Sequence, residues 1–338
     1  MTDSNPLVSI CIPTYNRASM VREAIQSAIS QSYPNLEILV VDNASSDNIS
    51  EVVESFHDSH LKLFVNKKNL GLFGNFNRCI ELAKGKYIHI LHSDDSIDPA
   101  FTETCVSFLE EHPTVAMTFT AADMLVGGNS KSLKLAEKNL VFQAPEGFQK
   151  ILLTRNFIVC PSVMVRSDVY KQVGSFSLEY PFSSDFYQWL KISRLYDIAY
   201  IADARVFYRQ GEHSESFRLL FSSPAGYLDT QKIYVQLLLD LGDESRRYAV
   251  ELNTAFRVFI FDCLFAGFTR SDTMKAGKSS LLWGIALSVW GLIQPQSMTD
   301  SLRKTWYLLV IQIAGFLMQF SCIRIVVRMI LHRKTDLY

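Results

Sequence analysis

Apolar, β-branched runs alternate with amphipathic stretches over the first third of the chain. The apolar runs predict the strands LVSICIP, LEILVVD, LKLFVN, YIHIL and VAMTFT. The stretches between them predict helices from Ala18 to Gln31, Ile49 to Phe56, Leu72 to Ala83 and Phe101 to Glu110. This alternation is typical of a mainly parallel, Rossmann-like α/β sheet flanked by crossover helices.

After residue 122 the alternation weakens. Residues 123–144 are polar and contain two adjacent glycines, so they predict a loop or hairpin. The next elements predicted are a helix from Glu146 to Thr154, a strand from Ser162 to Arg166, a helix from Phe186 to Tyr196 and a strand from Ala204 to Arg209. Beyond Pro224 the pattern is mainly helical. We therefore divide the chain into two halves of one α/β domain, residues 1–122 and 123–220, and a helical C-terminal region, residues 221–338.

Two apolar runs, residues 281–293 and 306–322, lie in the C-terminal region. A membrane-spanning helix needs about 20 apolar residues, so the first run is too short and the second has borderline length. Basic and aromatic residues accompany both runs, among them Lys275, Lys278, Arg303, Lys304, Arg324, Arg328, Trp283, Trp290 and Trp306. Such residues favour contact with the anionic cytoplasmic surface of a membrane. The alternative is a pair of oligomerisation or core helices.

Composition and charge narrow the class of protein. The chain has 338 residues, more than one average domain, and its formal net charge of -1 gives no indication of nucleic-acid binding. Its six cysteines lack the short paired spacings of a zinc site, so we expect buried thiols in a reducing compartment. The first five residues are polar and precede a short strand, so we expect no signal peptide and a cytoplasmic α/β domain.

Two adjacent carboxylates, Asp94 and Asp95, follow the apolar run YIHIL directly. Ligands of open α/β sheets bind at the carboxyl ends of the strands, where paired carboxylates suit a hard divalent ion shared with phosphates. The alternative is that one of the pair caps a helix beginning near Pro99. The neighbouring strand ends decide between these interpretations.

Three further strand ends of the first half carry polar groups. They are Pro13-Thr14-Tyr15-Asn16-Arg17, Asp42-Asn43-Ala44-Ser45-Ser46-Asp47, and Asn69-Leu70-Gly71 before a helix that carries Asn77. A helix beginning at such an edge can offer backbone N–H groups to phosphates, and Asp42 can accept hydrogen bonds from a base or ribose. Alternatively, the first segment is a plain turn, Asp42 a helix cap, and the third segment a left-handed turn. Together the strand ends indicate a nucleotide pocket.

In this order and spacing the motifs resemble the family 2 glycosyltransferases, nucleotide-sugar enzymes of the GT-A fold. The resemblance covers Pro6 to Ser216 and includes Lys84-Gly85-Lys86-Tyr87-Ile88 and His92-Ser93-Asp94-Asp95. The chain departs from the family at His92, where many members carry the first Asp of the acid motif. It also departs at Phe76, where many carry an Arg before the Asn. Metal coordination would then rest on Asp94 and Asp95.

The resemblance implies a set of site residues. Nucleotide-sugar binding falls to Pro13, Thr14, Tyr15, Asn16, Asp42, Asn69, Gly71, Asn77, Asp94 and Arg209, and a Mn2+ or Mg2+ ion to Asp95, Asp94 and His213. The catalytic base is Asp185, in a segment similar to the family's E-D-x-x-x-W-L block, with Ser184 in place of the Glu. Asp185 could instead cap the helix that follows it. His213 could be an ordinary loop histidine.

The resemblance further implies an inverting transfer, and no candidate nucleophilic carboxylate for a double displacement stands out. The Q-x-x-R-W motif of processive synthases is missing after Asp185, which favours transfer of one sugar. With the basic, apolar C-terminus, we expect a glycan or lipid-linked acceptor, surface polysaccharide biosynthesis, and attachment to the inner face of the cell membrane. A nucleotidyltransferase, which normally needs a Gly-rich basic phosphate loop, and a catalytically inactive membrane-associated scaffold are the alternatives. The oligomeric state is left open.

Overall fold

The structure, a computed structural model, describes residues 5–211, 214 and 225–269, with side chains up to residue 263 in the last segment. The chain divides into two compact units. The first contains the residues up to Ile151 together with Asn156–Ser214. The second contains Leu152–Arg155 and the described residues from Ala225 onward.

A ten-stranded sheet forms the centre of the first unit. Its strands are β1 (Val8–Thr14), β2 (Leu36–Asp42), β3 (Leu61–Val65), β4 (Tyr87–Ile90), β5 (Ser96–Ile97), β6 (Val115–Val126), β7 (Asn129–Leu133), β8 (Leu140–Phe142), β9 (Val163–Arg166) and β10 (Asp197–Gln210). The helices that accompany it are α1 (Ala18–Ile29), α2 (Ile49–Glu54), α3 (Leu72–Leu82), α4 (Phe101–Glu111), α5 (Glu146–Thr154), α6 (Ser167–Val173) and α7 (Ser184–Leu195). A short 3-10 turn, Cys160–Ser162, precedes β9.

The strand order β3-β2-β1-β4-β9-β6-β10-β5 determines where the site lies. Strands β1 to β4 pair in parallel, whereas β9 runs antiparallel to both β4 and β6. Thr14 lies opposite Asp42, and Cys11 lies opposite Ile90. The polar segments after β1, β2 and β4 therefore meet at one edge of the sheet, as the sequence predicts.

The apolar pattern explains why these elements pack. Every residue of β1 and β2 is buried, as expected for interior strands of a sheet covered on both faces. On α1 the buried residues Val21, Ala24, Ile25 and Ala28 recur at helical spacing and join the main core cluster. Full burial of one Val or Ile side chain stabilises a fold by about 1.5–3 kcal/mol.

Gly85 lies just before β4, at a point of close approach between strands. A Cβ atom there would lie 2.6 Å from the backbone nitrogen of Ser9 and 2.8 Å from the carbonyl oxygen of Leu7. The Gly85 N–H donates to Ser9 Oγ at 2.8 Å, and Ser9 Oγ donates to the buried carboxylate of Glu37 at 2.6 Å. Only glycine permits this spacing between β1 and the start of β4.

The predicted elements of the first unit are present, with differences of extent. The predicted helices agree with α1 to α5 to within two residues. Residues 123–144 form the predicted hairpin, in which β7 pairs with β6 across two glycines of positive φ. Strand β10 begins at Asp197, seven residues before the predicted strand, and α6 was not predicted. Strand β6 crosses residue 122, where the sequence division places the boundary between the two halves.

The second unit is helical in its described part. It contains α8 (Ala225–Leu241), a 3-10 segment (Gly242–Arg246) and α9 (Ala249–Thr269). Tyr234 of α8 packs its ring against Phe256 and Phe259 of α9, at centroid distances of 5.1 and 5.5 Å. None of the described helices has both the length and the apolar character needed to cross a membrane. The apolar runs 281–293 and 306–322 lie outside the described residues.

Candidate active site

The segments after β1 and β2 hold each other in place. Asp42 is buried and accepts hydrogen bonds from the backbone N–H of Ser45, at 3.2 Å, and from the Ser45 hydroxyl. Asn16, whose φ of 50° favours an Asn, accepts from the Ser46 N–H at 2.8 Å and donates its own N–H to Ser45 Oγ. Asp42 thus stabilises its own turn, and Asp47 accepts from the first N–H of α1 at 2.8 Å.

Four asparagines form a connected group that we name the amide cluster: the buried Asn43 and Asn75, the half-buried Asn66 and the exposed Asn69. Asn43 Nδ2 donates to Asn69 Oδ1 at 2.9 Å and to the Gly71 carbonyl at 3.2 Å. Asn43 Oδ1 accepts from Asn66 Nδ2 at 3.1 Å and from the Leu70 N–H at 2.9 Å. Every polar group of the Asn43 side chain is therefore satisfied.

The amide cluster joins β2, β3 and α3. Asn66 Nδ2 also donates to Asn75 Oδ1 at 2.8 Å, and Asn75 Nδ2 donates to the Val41 carbonyl at 2.9 Å. Gly71 has a φ of 77° at the start of α3, and its N–H donates to Asn69 Oδ1. The segment Asn69-Leu70-Gly71 is thus a left-handed turn, and its carbonyl and amide groups belong to the cluster.

Asn77 fixes a distant segment. Its side-chain amide donates to the Phe176 carbonyl at 2.9 Å and accepts from the Phe176 N–H at 3.0 Å. Gln188 and Lys191 of α7 hold the adjoining residues by bonds to the Gly174 and Val173 carbonyls. This places α7, with Asp185, relative to α3. A contact of Asn77 with a nucleotide sugar stays a prediction.

The carboxylates of the acid loop, His92-Ser93-Asp94-Asp95, turn toward basic groups. Asp94 forms an ion pair with Arg17, with 2.7 Å between Oδ2 and Nη1. Asp95 is 1% exposed; its Oδ1 accepts from the Arg209 N–H at 2.8 Å, and its Oδ2 lies 3.3 Å from His92 Nδ1. The turn before α4 is instead bonded by Asp98, whose Oδ1 accepts from the Ala100 N–H. The pair therefore does not serve as the cap of α4.

Asp95 Oδ2 is a buried oxygen without a hydrogen-bond partner among the described residues, despite the nearby imidazole. Burial raises the pKa of Asp95, and the His92 ring and the Arg209 N–H offset this only in part. Burial acts to lower the pKa of His92, but contacts with Asp95 and Cys160 outweigh it and hold that pKa well above its usual value. His92 and Asp95 therefore share a strongly polar, poorly solvated site.

Asp185 lies in the first turn of α7, after the N-cap residue Ser183. Its Oδ2 accepts from Asn156 Nδ2 at 3.2 Å. Burial raises the pKa of Asp185, while the Phe186 N–H, the charge of His92 and the Asn156 amide lower it. The electrostatic contribution of His92 indicates that Asp185 and the acid loop belong to one site. Its bond from Phe186 also gives it part of the capping role.

The remaining predicted residues have different surroundings. Pro13 and Thr14 are buried on β1, and Thr14 Oγ1 has no hydrogen-bond partner among the described residues. Tyr15 is 45% exposed beside them. The Arg209 guanidinium pairs with Glu23 of α1, so its role toward a diphosphate stays a prediction. His213 lies outside the described residues.

Sequence reasoning missed several contributors to this site. Arg17 was visible in the first motif, but its partner Asp94 is distant in sequence. Asn156 and Cys160 carry no motif; they come to the site through the segment before β9. Among the amide cluster, Asn43 was part of a recognised motif without a role of its own.

The donor set of the acid loop fits a divalent ion. A His92 nitrogen and one oxygen each of Asp94 and Asp95 all lie within 4.8 Å of one another. The unpartnered, buried Asp95 Oδ2 is the position that a cation would satisfy. Carboxylate oxygens suit Mg2+ and Mn2+, and imidazole is an additional ligand for transition ions.

Comparisons with known proteins agree with this geometry. The family model for glycosyl transferase family 2 matches residues 9–174. An uncharacterized glycosyltransferase from Haemophilus influenzae is 29% identical over 214 residues, which cover 60% of this chain and 65% of that protein. The chain thus spans slightly less than two thirds of that relative.

Solved structures share the fold. The crystal structure of S. aureus TarS 1-349 in complex with UDP-GlcNAc is 20% identical with a TM-score of 0.68, covering 86% of this chain and 82% of the TarS 1-349 chain. Mannosyltransferase PcManGT from Pyrobaculum calidifontis, in complex with GDP-Man and Mn2+, is 17% identical with a TM-score of 0.52, covering 93% and 88%. The GT-A architecture, the motifs at the strand ends and the family match together identify residues 9–174 as a glycosyl transferase family 2 domain.

Proposed function

We propose that this protein is a metal-dependent, inverting glycosyltransferase that moves one sugar from a nucleoside-diphosphate sugar to an acceptor hydroxyl. The observation that carries the proposal is the buried, unpartnered Asp95 Oδ2, beside Asp94 and in the same site as Asp185. A carboxylate oxygen buried without a partner is costly, and a bound cation relieves that cost.

The donor nucleotide would lie along the edge formed by β1 and β2. The exposed ring of Tyr15 offers a stacking face for a base, and the bonded Asp42 carboxylate presents acceptors for a base or ribose. The amide cluster keeps this edge in one arrangement before the donor arrives. Asn16 links the two segments directly, so they bind the nucleoside as one surface.

The diphosphate would lie beside the acid loop. Asp94 and Asp95 would hold the divalent ion, which as a Lewis acid neutralises negative charge on a leaving nucleoside diphosphate. Arg17 already pairs with Asp94 and can turn its guanidinium toward a phosphate oxygen.

Asp185 would act as the base. Its carboxylate accepts the proton of the acceptor hydroxyl while the hydroxyl oxygen attacks the anomeric carbon and the diphosphate departs. Burial raises the pKa of Asp185, which makes its carboxylate a stronger base near neutral pH. One displacement from the face opposite the leaving group inverts the anomeric centre.

The acceptor and the location are inferred from the C-terminal sequence. The basic, apolar C-terminal sequence favours a lipid-linked or membrane-proximal glycan and attachment at the inner face of the cell membrane. A place in surface polysaccharide biosynthesis follows from such an acceptor. Co-sedimentation of the full-length chain with anionic and with neutral lipid vesicles tests the attachment. A chain that stays in the supernatant with both kinds of vesicle would contradict membrane attachment.

A donor screen tests the activity. UDP-GlcNAc, GDP-mannose and other nucleotide sugars would be added with and without Mn2+, and both thermal stabilisation and released nucleoside diphosphate measured. We expect one donor to raise the melting temperature only with the metal, and slow hydrolysis to release the nucleoside diphosphate. A nucleotidyltransferase would instead release pyrophosphate from a nucleoside triphosphate. Failure of all donors to bind would contradict the proposal.

A further inference from the structure

Two of the positions at which this chain departs from the family pattern, His92 and Phe76, touch each other. The His92 ring lies 5.6 Å from the Phe76 ring, centroid to centroid. Phe76 is 2% exposed and also packs edge-on against Phe73 and Phe176, at 5.3 and 5.6 Å. An Asp and an Arg at these places would be two opposite charges, whereas here an imidazole lies on a phenyl ring. These two departures therefore lie in direct contact.

On its other side His92 faces the acid pair. Its Nδ1 lies 3.3 Å from Asp95 Oδ2, without the alignment of a hydrogen bond, and that oxygen has no other partner in the described part of the chain. The opposite ring nitrogen, Nε2, is also buried without a hydrogen-bond partner there. The phenyl contact holds the imidazole plane, and the ring nitrogens make no well-aligned hydrogen bond in the described part of the chain.

Arg17 makes the imidazole more important to a bound ion. Its guanidinium lies 2.7 Å from Asp94 Oδ2 and neutralises much of that carboxylate. The strongest remaining donors in the group are then the Asp95 carboxylate and the His92 nitrogen. Mg2+ prefers oxygen ligands and water, whereas Mn2+ and especially Co2+ accept imidazole readily.

We propose that His92 is a metal ligand that makes this site select Mn2+ or Co2+ over Mg2+. The proposal rests on the proposed function only in that the ion serves sugar transfer at the acid loop. It assigns to this chain a mixed nitrogen and oxygen site, where two carboxylates alone would favour Mg2+ more. His92 thereby determines metal specificity.

Metal binding alone provides the test. The purified full-length protein would be titrated with MnCl2 while the free-ion signal is followed by electron paramagnetic resonance, and bound Mn2+ would be displaced with MgCl2. Pulsed measurements on protein labelled with 15N-histidine report whether a histidine nitrogen is coupled to the bound ion. We expect nitrogen coupling in the wild type and loss of it in His92→Asp. The Mg2+ concentration that displaces half of the Mn2+ should fall at least about tenfold in that variant.

His60→Asn is the matched control, because His60 is exposed and its ring pairs with Asp58, two residues earlier in the chain. This control should keep both the coupling and the displacement curve of the wild type. If His92→Asp does not fold, His92→Asn replaces it; because His213 is also a predicted ligand, only loss of the coupling in a His92 variant assigns that coupling to His92. Bound Mn2+ without histidine coupling, or equal displacement in wild type and variant, would overturn the assignment.

The outcomes separate the two proposals. Nucleoside diphosphate release that is supported equally by Mg2+ and Mn2+, without histidine coupling, overturns the role of His92 and keeps the transferase. Histidine coupling that is lost in the His92 variant, with no donor turned over, keeps His92 as a ligand and overturns the transferase. Absence of any Mn2+ binding overturns both.

Discussion

The amide cluster and the acid loop lie at the same edge of one sheet, yet they differ in how far their polar groups are satisfied. In the cluster, both donors and both acceptor positions of Asn43 are used. In the acid loop, Asp95 Oδ2 and His92 Nε2 are buried without hydrogen-bond partners among the described residues. Folded proteins rarely leave buried polar atoms unpaired, so the second region is built for a ligand and the first for rigidity.

This difference predicts where substitutions act. Substitutions in the amide cluster should lower stability, because each removed side-chain amide leaves its hydrogen-bond partners unsatisfied. Changes around the acid loop should cost chemistry or metal binding with little loss of stability, because few native bonds are lost there. The following four predictions test this difference between the amide cluster and the acid loop.

The largest effect is expected for Asp185→Asn. Loss of the base should lower the transfer rate by about 10²- to 10⁴-fold while donor binding and melting temperature change little. Asp168→Asn is the control, because Asp168 also lies in the first helical turn, of α6, but is exposed. The rate would be measured as nucleoside diphosphate released with acceptor present. A variant that transfers at the wild-type rate would remove Asp185 from the role of base.

Asn43→Ala should have the largest effect on stability. The substitution removes the hydrogen bonds that Asn43 makes to Asn66, the Leu70 N–H and Asn69. We therefore expect a loss of about 2–3 kcal/mol in the free energy of unfolding. Urea unfolding of the variant and of Asn48→Ala, an exposed asparagine whose amide reaches only Glu51 at 3.4 Å, measures the difference. Equal midpoints for the two variants would show that the cluster is not a source of rigidity.

His89 tests the strand that presents the acid loop. Its Nδ1 donates to the Val163 carbonyl at 2.9 Å, and burial lowers its pKa to about 4, with a smaller contribution from His92. The unfolded chain binds this proton at a pKa near 6.5, so the native state loses stability as the pH falls from 6.5 toward 4. The loss should reach about 2 kcal/mol at pH 5 relative to pH 7.

Urea unfolding at both pH values, on the wild type and on His89→Asn, measures this contribution. The variant should be less stable at pH 7 but should lose less on acidification, since it carries no titrating ring there. An equal pH dependence in the two proteins would mean that the His89 ring has the same pKa in the native and unfolded states.

The smallest effect is expected for Asn156→Ala. The Asn156 amide stabilises the ionised form of Asp185, so its removal raises the pKa of Asp185 further. Because the base must be ionised, the transfer rate falls as the pH falls through this pKa. In the variant, the acid limb of the plot of transfer rate against pH should therefore move to higher pH, by less than about one pH unit. Transfer rates across pH at saturating donor measure the shift. A downward movement would contradict the contact.

Local pattern was sufficient for much of the fold. Strands β1 to β4 and the helices between them were readable because buried strands are continuous apolar runs and their helices are amphipathic. The antiparallel insertion of β9 between β4 and β6 was not, since strand pairing across such distances has no local signal. The early start of β10 was missed because Asp197 and Asp203 interrupt its apolar pattern.

The motifs predicted which residues belong to the site, but they did not predict how those residues contact one another. Motif spacing indicated Asp42, Asp94, Asp95 and Asp185, but no spacing relates Asn77 to Phe176, which is 99 positions away. The partners of Asn43 lie 23 to 28 positions further along the chain. Such contacts depend on the completed sheet, so the roles of fixing residues emerge only in the structure.

Gly85 has a consequence for how this site can diverge. Only a hydrogen atom fits between the two strand backbones at Gly85. The position of the acid loop at the end of β4 therefore depends on a residue that precedes β4, and not on the loop residues themselves. Side chains of the loop can then be exchanged, as an imidazole for a carboxylate, without relocating the loop. Substitution of Gly85 would shift the start of β4, and all the side chains of the acid loop would then move together from the positions in which they can bind a ligand.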